Sequence, residues 1–462
     1  MTSCLLGSRS RRAAALTLLS ACAVVAQANL ALAQEVVIGD QPSWGENVVS
    51  DGGCYGGCDG GCDGYCGDGY CDGGYCGCDD YSGCDSCQFG CNDRKCCLCP
   101  GWFSAEYLYW RLDGSRLPPL VTASSSNVPL ADAAQLDEPG TIILAGDETV
   151  NDGWRSGYRF SGGFWLDCCQ TCGIGADYFE LGDDNFDYLS PQDSSIITGR
   201  PFFNTETGED DAQLVSVPNQ LDGTARVRSS DGFMGAGVTI NKSLWRCCDP
   251  CGGTGKGLTM LGGYRHYEYD SNLSITEDLT VLPGTTSPLV PGTTFFVQDR
   301  FRTHNEFNGG ELGLQGYKKH CCWWVDGMAK VAMGNQHRTV RVNGTTIVDV
   351  PNGGTAIDEG GLLTSGLTNI GRYDDNDFVV IPEFRIGIGA CVTKRVSVRA
   401  GYNCIIWSDV ARAASHLPPG LEVDPRNLPP VQSGGGSEPE FPGIRGSQLI
   451  AHGLDASVMV QW

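Results

Sequence analysis

The chain has 462 residues, with 55 Asp and Glu against 31 Lys and Arg, a net charge of −24, 65 Gly and 25 Cys. That acidic balance argues against nucleic acid as a partner, because a phosphate backbone is met by clustered Lys and Arg. Beyond the N-terminal region no apolar run approaches the ~18 residues of a spanning helix, which leaves spanning strands as the way to cross a membrane.

Residues 1–33 have the form of a secretory signal peptide. Arg9, Arg11 and Arg12 supply the positive start, Ala13 to Val25 a short apolar stretch, and Ala31-Leu32-Ala33 small residues at the cleavage positions, so that Gln34 opens the mature chain. The apolar stretch is short for a retained anchor. Residues 34–100 form a Cys/Gly-rich segment. Thirteen Cys between Cys54 and Cys99 alternate with Gly, Asp and Tyr. Such a segment has too few large apolar residues to bury a core and is expected to be irregular unless cross-linked.

From residue 101 onward the sequence reads as strands. A first strand lies near Trp102 to Arg111. Tyr158, Phe160, Phe164 and Leu166 alternate before a turn at Cys168 to Cys172; Ile174, Ala176 and Tyr178 alternate after it. Met234, Ala236, Val238 and Ile240 precede a turn within 243–256, and Leu258, Met260 and Tyr264 follow. Leu312 and Leu314 lead into 319–322, and Val325, Ala329, Val331 and Met333 lead out. In Asp377 to Ala390, Phe378, Val380, Phe384, Ile386 and Ile388 share one face, and Glu383, Arg385, Gly387 and Gly389 the other. After a turn at 391–395, Val396, Val398, Ala400, Tyr402 and Ile406 oppose Ser397, Arg399, Gly401 and Asn403. The last strand alternates Leu454, Ala456, Val458, Val460 and Trp462 against Asp455, Ser457 and Gln461.

This makes about ten strands, within 8–14, joined alternately by tight turns and by long connections at 113–153, 185–225, 273–303, 337–376 and 409–446. Long–short alternation, with charged residues on one face and apolar ones on the other, predicts a transmembrane antiparallel up-and-down β-barrel over residues 101–462, with its short turns in the periplasm. An extra hairpin near Asn343-Gly344 would raise the count. A β-sandwich or propeller is the competing all-β class, and neither predicts the alternation of turn lengths.

At several places the residues themselves are familiar. Thr303-His304-Asn305-Glu306-Phe307-Asn308-Gly309-Gly310-Glu311, Leu117-Pro118-Pro119-Leu120-Val121-Thr122, Arg200-Pro201-Phe202-Phe203-Asn204 and Thr368-Asn369-Ile370-Gly371-Arg372-Tyr373 resemble the putative β-barrel porin family, type seven. The resemblance implies an outer-membrane barrel, and it brings no catalytic residues and says nothing of residues 35–100.

Glu311, Lys330, Glu383, Arg385 and Arg399 fall on inward-facing positions. They either line a small pore or pair with one another and plug it. Outside the N-terminal segment, Cys168, Cys169, Cys172, Cys247, Cys248, Cys251, Cys321, Cys322 and Cys391 all fall at the short turns, and Cys404 falls in a strand. In an exported protein disulfides are the default fate of cysteine, so the 54–99 segment is expected to tie to these turns, to a second copy of the chain or to other envelope proteins, unless it pairs locally. Zinc is the weaker reading, since Cys54, Cys58, Cys62 and Cys66 single out no tetrad. The six His lie in unrelated sequence contexts and no nucleophile-elbow motif appears, so no enzyme is expected, and no cofactor is implied. The leading expectation is a porin passing small solutes by diffusion, embedded in outer-membrane lipid. The alternative is a structural envelope anchor cross-linked through its cysteines.

Overall fold

The computed structural model describes residues 101–462 apart from 168–169, 193–194, 249–253, 287, 321, 394 and 431. The signal peptide expected at 1–33 and the Cys/Gly-rich segment at 34–100 lie outside the described residues.

Ten antiparallel strands make a closed ring. We number them β1 (Gly101–Leu112), β2 (Trp154–Trp165), β3 (Cys172–Leu189), β4 (Leu221–Cys248), β5 (Thr254–Val281), β6 (Thr294–His320), β7 (Trp323–Val350), β8 (Gly371–Cys391), β9 (Val396–Ala411) and β10 (Gly446–Gln461). Each pairs with its neighbours in sequence, and β1 closes the ring on β10, with Trp102 opposite Gln461 and Leu112 opposite Ala451. The backbone N–H of Trp462 donates to the carbonyl of Gly101 at 3.1 Å, finishing the seam. The expected count and the faces assigned to β8, β9 and β10 agree with this ring.

The outward face explains why the strands stay in lipid. Phe378, Leu312 and Leu454 are 69%, 59% and 55% exposed, an arrangement that water penalises and hydrocarbon does not. On β5 the outward positions run Leu258, Met260, Tyr264, then turn polar at His266, Glu268, Asp270 and Asn272. The same change falls between Met333 and Asn335 on β7 and between Phe378 and Asn376 on β8. Aromatic side chains sit at that level, including Tyr109 stacked on Trp154 at 5.1 Å, as the interface favours.

Two expectations need correction. The connections expected at 185–225, 273–303 and 337–376 shrink to 190–220, 282–293 and 351–370, because β4, β5, β6 and β7 continue for 28, 28, 27 and 28 residues, far past the 9–11 that cross a membrane. Above the lipid the outward residues become polar, so the apolar alternation that marks a strand in sequence disappears while the ladder continues. The second concerns Asn343-Gly344, which is strand, not turn. The extra hairpin forms at Pro351–Gly353, where Val350 pairs with Gly354 at the start of the short strand Gly354–Glu359. That short strand hangs on β7 and does not join the ring.

The long connections pack over the barrel mouth. Val121–Ser125 and Ile142–Ala145 from the first, Ile196–Asn204 and Glu209–Ser216 from the second, and Glu422–Val423 from the last form one five-stranded sheet. Leu117, Leu120, Val121, Phe202, Leu417 and Val423 from these loops bury against Leu273, Ile275, Phe301, Val340 and Val342 of the wall.

Candidate functional site: the barrel interior

Strand alternation sends every second side chain inward, and in a ring this narrow those side chains can fill the lumen. Three layers are seen. Nearest the short turns is a layer of charge. Arg399 pairs with Asp326 at 2.9 Å and with Asp455 at 2.5 Å. Arg385 reaches Glu106 at 2.8 Å, and Arg159, directly opposite Glu106 in the register, approaches it at 3.4 Å. Across the lumen Arg265 grips Asp177 at 2.7 Å and Glu311 at 2.8 Å. Lys330 bridges Glu311 at 3.3 Å and Glu383 at 3.0 Å, and the Tyr267 hydroxyl donates to Glu383 at 3.0 Å.

Glycine makes room for these guanidinium groups. A Cβ at Gly387 would lie 2.4 Å from the Arg399 Cζ, and one at Gly237 would lie 2.5 Å from the Arg265 Cζ. Gly387 on β8 and Gly237 on β4 are therefore sockets for the cations of neighbouring strands, Arg399 on β9 and Arg265 on β5.

Above the charges lies an aromatic layer. Trp110, Phe179, Phe233, Tyr267, Phe307 and Trp407 touch with ring centroids 5.2 to 6.4 Å apart. Arg159 stacks over Trp110 at 5.2 Å and Phe179 at 5.3 Å, joining the two layers by cation–π contact.

The third layer is the backbone at the bulged upper end of β9, held by side chains of β6 and β7. Thr303 Oγ1 and Asn305 Nδ2 both donate to the Ala411 carbonyl, and the Ala411 N–H donates to Asn305 Oδ1 at 2.7 Å. Gln336 and Arg338 donate to the Asp409 carbonyl at 2.9 and 3.0 Å. Higher still, Arg200 inserts from the loop sheet between Glu277 and Asp299, 2.6 Å from each and all buried. Charge-assisted pairs are the strong kind of hydrogen bond, and breaking one that is buried costs far more than breaking a surface pair.

All five residues expected on the inner wall are thus brought together. Glu311, Lys330 and Glu383 form one chain of contacts; Arg385 and Arg399 belong to the other, meeting at Asp455. Sequence reasoning missed their partners Glu106, Arg159, Asp177, Arg265, Asp326 and Asp455. The signal existed: all sit at the opposite parity to apolar outward residues, as Arg265 does to Tyr264. The cap anchor Arg200 with Glu277 and Asp299 had no such signal.

Cys172, Cys322 and Cys391 lie at the short-turn end, where the Cys391 N–H donates to the Cys322 carbonyl at 2.7 Å. Cys247 and Cys248 end β4 at the same rim, while Cys168, Cys169, Cys251 and Cys321 lie outside the described residues. Four of the six His, read as unrelated, share one outward band just above the apolar girdle: His266, His304, His337 and His452. There His304 Nδ1 is 2.8 Å from Asp270 and 3.4 Å from Glu268.

A family model described as "Putative beta barrel porin-7" matches residues 102–462. No curated protein matches the chain. Among solved structures, the outer membrane protease OmpT from Escherichia coli is 12% identical, covering 78% of this chain and 96% of its own, with a TM-score of 0.30. The toluene transporter TodX of P. putida is 8% identical over 79% of this chain and 89% of its own, at a TM-score of 0.19. A Pseudomonas aeruginosa FadL homologue is 9% identical over 79% and 90%, also at 0.19. At such scores these likenesses carry no argument about activity, and the family match stands by itself.

Proposed function

This chain belongs to the family described as putative beta barrel porin-7, and within that outer-membrane barrel family we propose that it acts as a closed, non-enzymatic envelope anchor. One observation carries the reading: the lumen is filled along its length by paired charges, aromatic rings and inserted loop. A diffusion pore needs a continuous polar path, whereas here Trp110, Phe233, Phe307 and Trp407 are each at most 2% exposed. The barrel then holds its Cys-rich segment, residues 34–100, at the periplasmic face. Thiols of that segment and of the short turns link to one another, to a second copy or to other envelope proteins. The shared position of Cys172, Cys322 and Cys391 at one rim supports this.

The second reading is passive diffusion of small solutes. The family description favours it, and the five inner-wall residues Glu311, Lys330, Glu383, Arg385 and Arg399 would then line the path after loop movement. Planar-bilayer recording of the full chain distinguishes the two. The anchor predicts no steady unitary conductance, together with envelope extraction that requires reductant. Steady open-channel current from the unmodified protein would overturn the anchor in favour of the pore.

A further inference from the structure

The outer wall above the apolar girdle carries a feature that neither reading uses. Arg302 on β6 stands directly opposite Arg341 on β7, and Arg341 directly opposite Arg372 on β8. All three are exposed on the outward face. Like charges in direct cross-strand register destabilise a sheet, and a chain of net charge −24 has carboxylates to spare for neutralising them. Yet only Arg372 has one, Asp374 at 3.0 Å. Among the described residues, Arg302 and Arg341 have no hydrogen-bond or ion-pair partner. Arg300, the next outward position, donates to Asn272 Oδ1 at 3.3 Å. Inside the barrel, by contrast, Arg155, Arg159, Arg265, Arg385 and Arg399 all meet carboxylates.

We propose that Arg302, Arg341 and Arg372, with Arg300 beside them, bind a phosphate group carried on the saccharide headgroup of an outer-leaflet glycolipid. The planar guanidinium fork suits a phosphate oxyanion bidentately, and a lateral row across three strands faces the membrane's surroundings, not the lumen. Height selects the kind of lipid. Arg341 lies six residues beyond Asn335, the first polar outward residue of β7. At ~3.3 Å per residue and a tilt of about 40° that is roughly 15 Å above the girdle. A phospholipid headgroup layer is only about 5–7 Å thick on each side, so its phosphate sits too low. A phosphorylated saccharide reaches that level. Between row and girdle the wall offers His304, Asp270 and Asp374, donors and acceptors suited to sugar hydroxyls. The inference rests on the orientation that puts the short turns in the periplasm and goes beyond the choice between anchor and pore.

The test uses the full chain, folded in detergent, titrated with a lipid A glycolipid bearing a phosphorylated core saccharide and, in parallel, with the same lipid after enzymatic dephosphorylation. The unmodified protein is expected to bind the phosphorylated form at least tenfold more tightly. Arg302→Gln with Arg341→Gln should lose that preference, whereas Arg226→Gln, on β4 and paired with Asp187, should keep it. The heat-dependent gel shift of each variant reports whether it has folded, and the comparison of the two lipids on the unmodified protein needs no variant. Equal binding of both lipids, or an unchanged preference in the double variant, overturns the proposal. Displacement of the glycolipid by an equal concentration of inorganic phosphate overturns the lipid source and leaves a free-anion site.

Discussion

Lys330 shows how much a single inward charge carries. It touches Glu311 and Glu383 and is 8% exposed, so Lys330→Met leaves two buried carboxylates short of a cation. Removing one partner of a buried pair costs about 3–5 kcal/mol. The exposed pair Arg111–Asp152 at 2.6 Å is worth at most about 1 kcal/mol by the same comparison. Lys330→Met is therefore expected to lower the urea midpoint of the folded barrel strongly and Arg111→Ala hardly at all. Equal effects would mean that the interior charges are solvated, as in an open pore. Lys330 was legible in the sequence because it breaks the alternation on β7; Arg265, which shares Glu311 with it, was equally legible, standing beside Tyr264 on the opposite parity.

Among the elements, the connection between β9 and β10 is the one built to respond to pH. His416, in the short turn Ala413–His416, is 1% exposed. Its Nδ1–H donates to the Arg412 carbonyl at 2.8 Å, and its Nε2 accepts from the Arg445 N–H at 3.2 Å. Phe441 stacks on its ring, and Tyr373 of β8 stacks on Phe441 at 3.6 Å. Burial, with Arg445 and Arg338 nearby, pushes the imidazole down to about 4. A base depressed on folding contributes stability above its unfolded value near 6.5 and loses it as pH falls toward the folded one, with a ceiling of about 3 kcal/mol. Hydrogen exchange of residues 412–445, corrected for intrinsic rates, should show protection falling between pH 6.5 and 4, and that step should vanish in His416→Phe. Protection that stays level through this range would remove His416 as the clamp. Sequence could not show this. The ring's two partners are 4 and 29 residues away along the chain, and only the folded loop brings them together.

For the whole molecule the ring closure is the decisive property. A barrel has no free edge, so its ladder hydrogen bonds are all internal and survive in detergent until heated. Unheated protein is expected to migrate faster on a denaturing gel than boiled protein, with the shift independent of reductant for the barrel itself. A shift absent under both conditions would contradict a closed ring. Reductant-dependent appearance of monomer would instead report the cysteines at the rim, a question of attachment and not of the ring.

What the sequence determined by itself was the lipid-crossing part: about ten strands, their faces, the alternation of long with short connections, and the five inward charges. The reason is physical, since lipid demands an apolar residue at every second position and so writes each crossing strand into the chain. Above the lipid that demand stops, which is why β5 and β6 run on unannounced through Asn272 and Arg302. Which inward charges meet, and whether they leave a path, depended on side chains from strands that are not adjacent. Asp177 reaches Arg265 across 88 residues of sequence, and Glu106 reaches Arg385 across 279. The stacking of β3, β4 and β5 sets the first distance and the β1–β10 seam the second, so only the tertiary structure decided that the interior is filled.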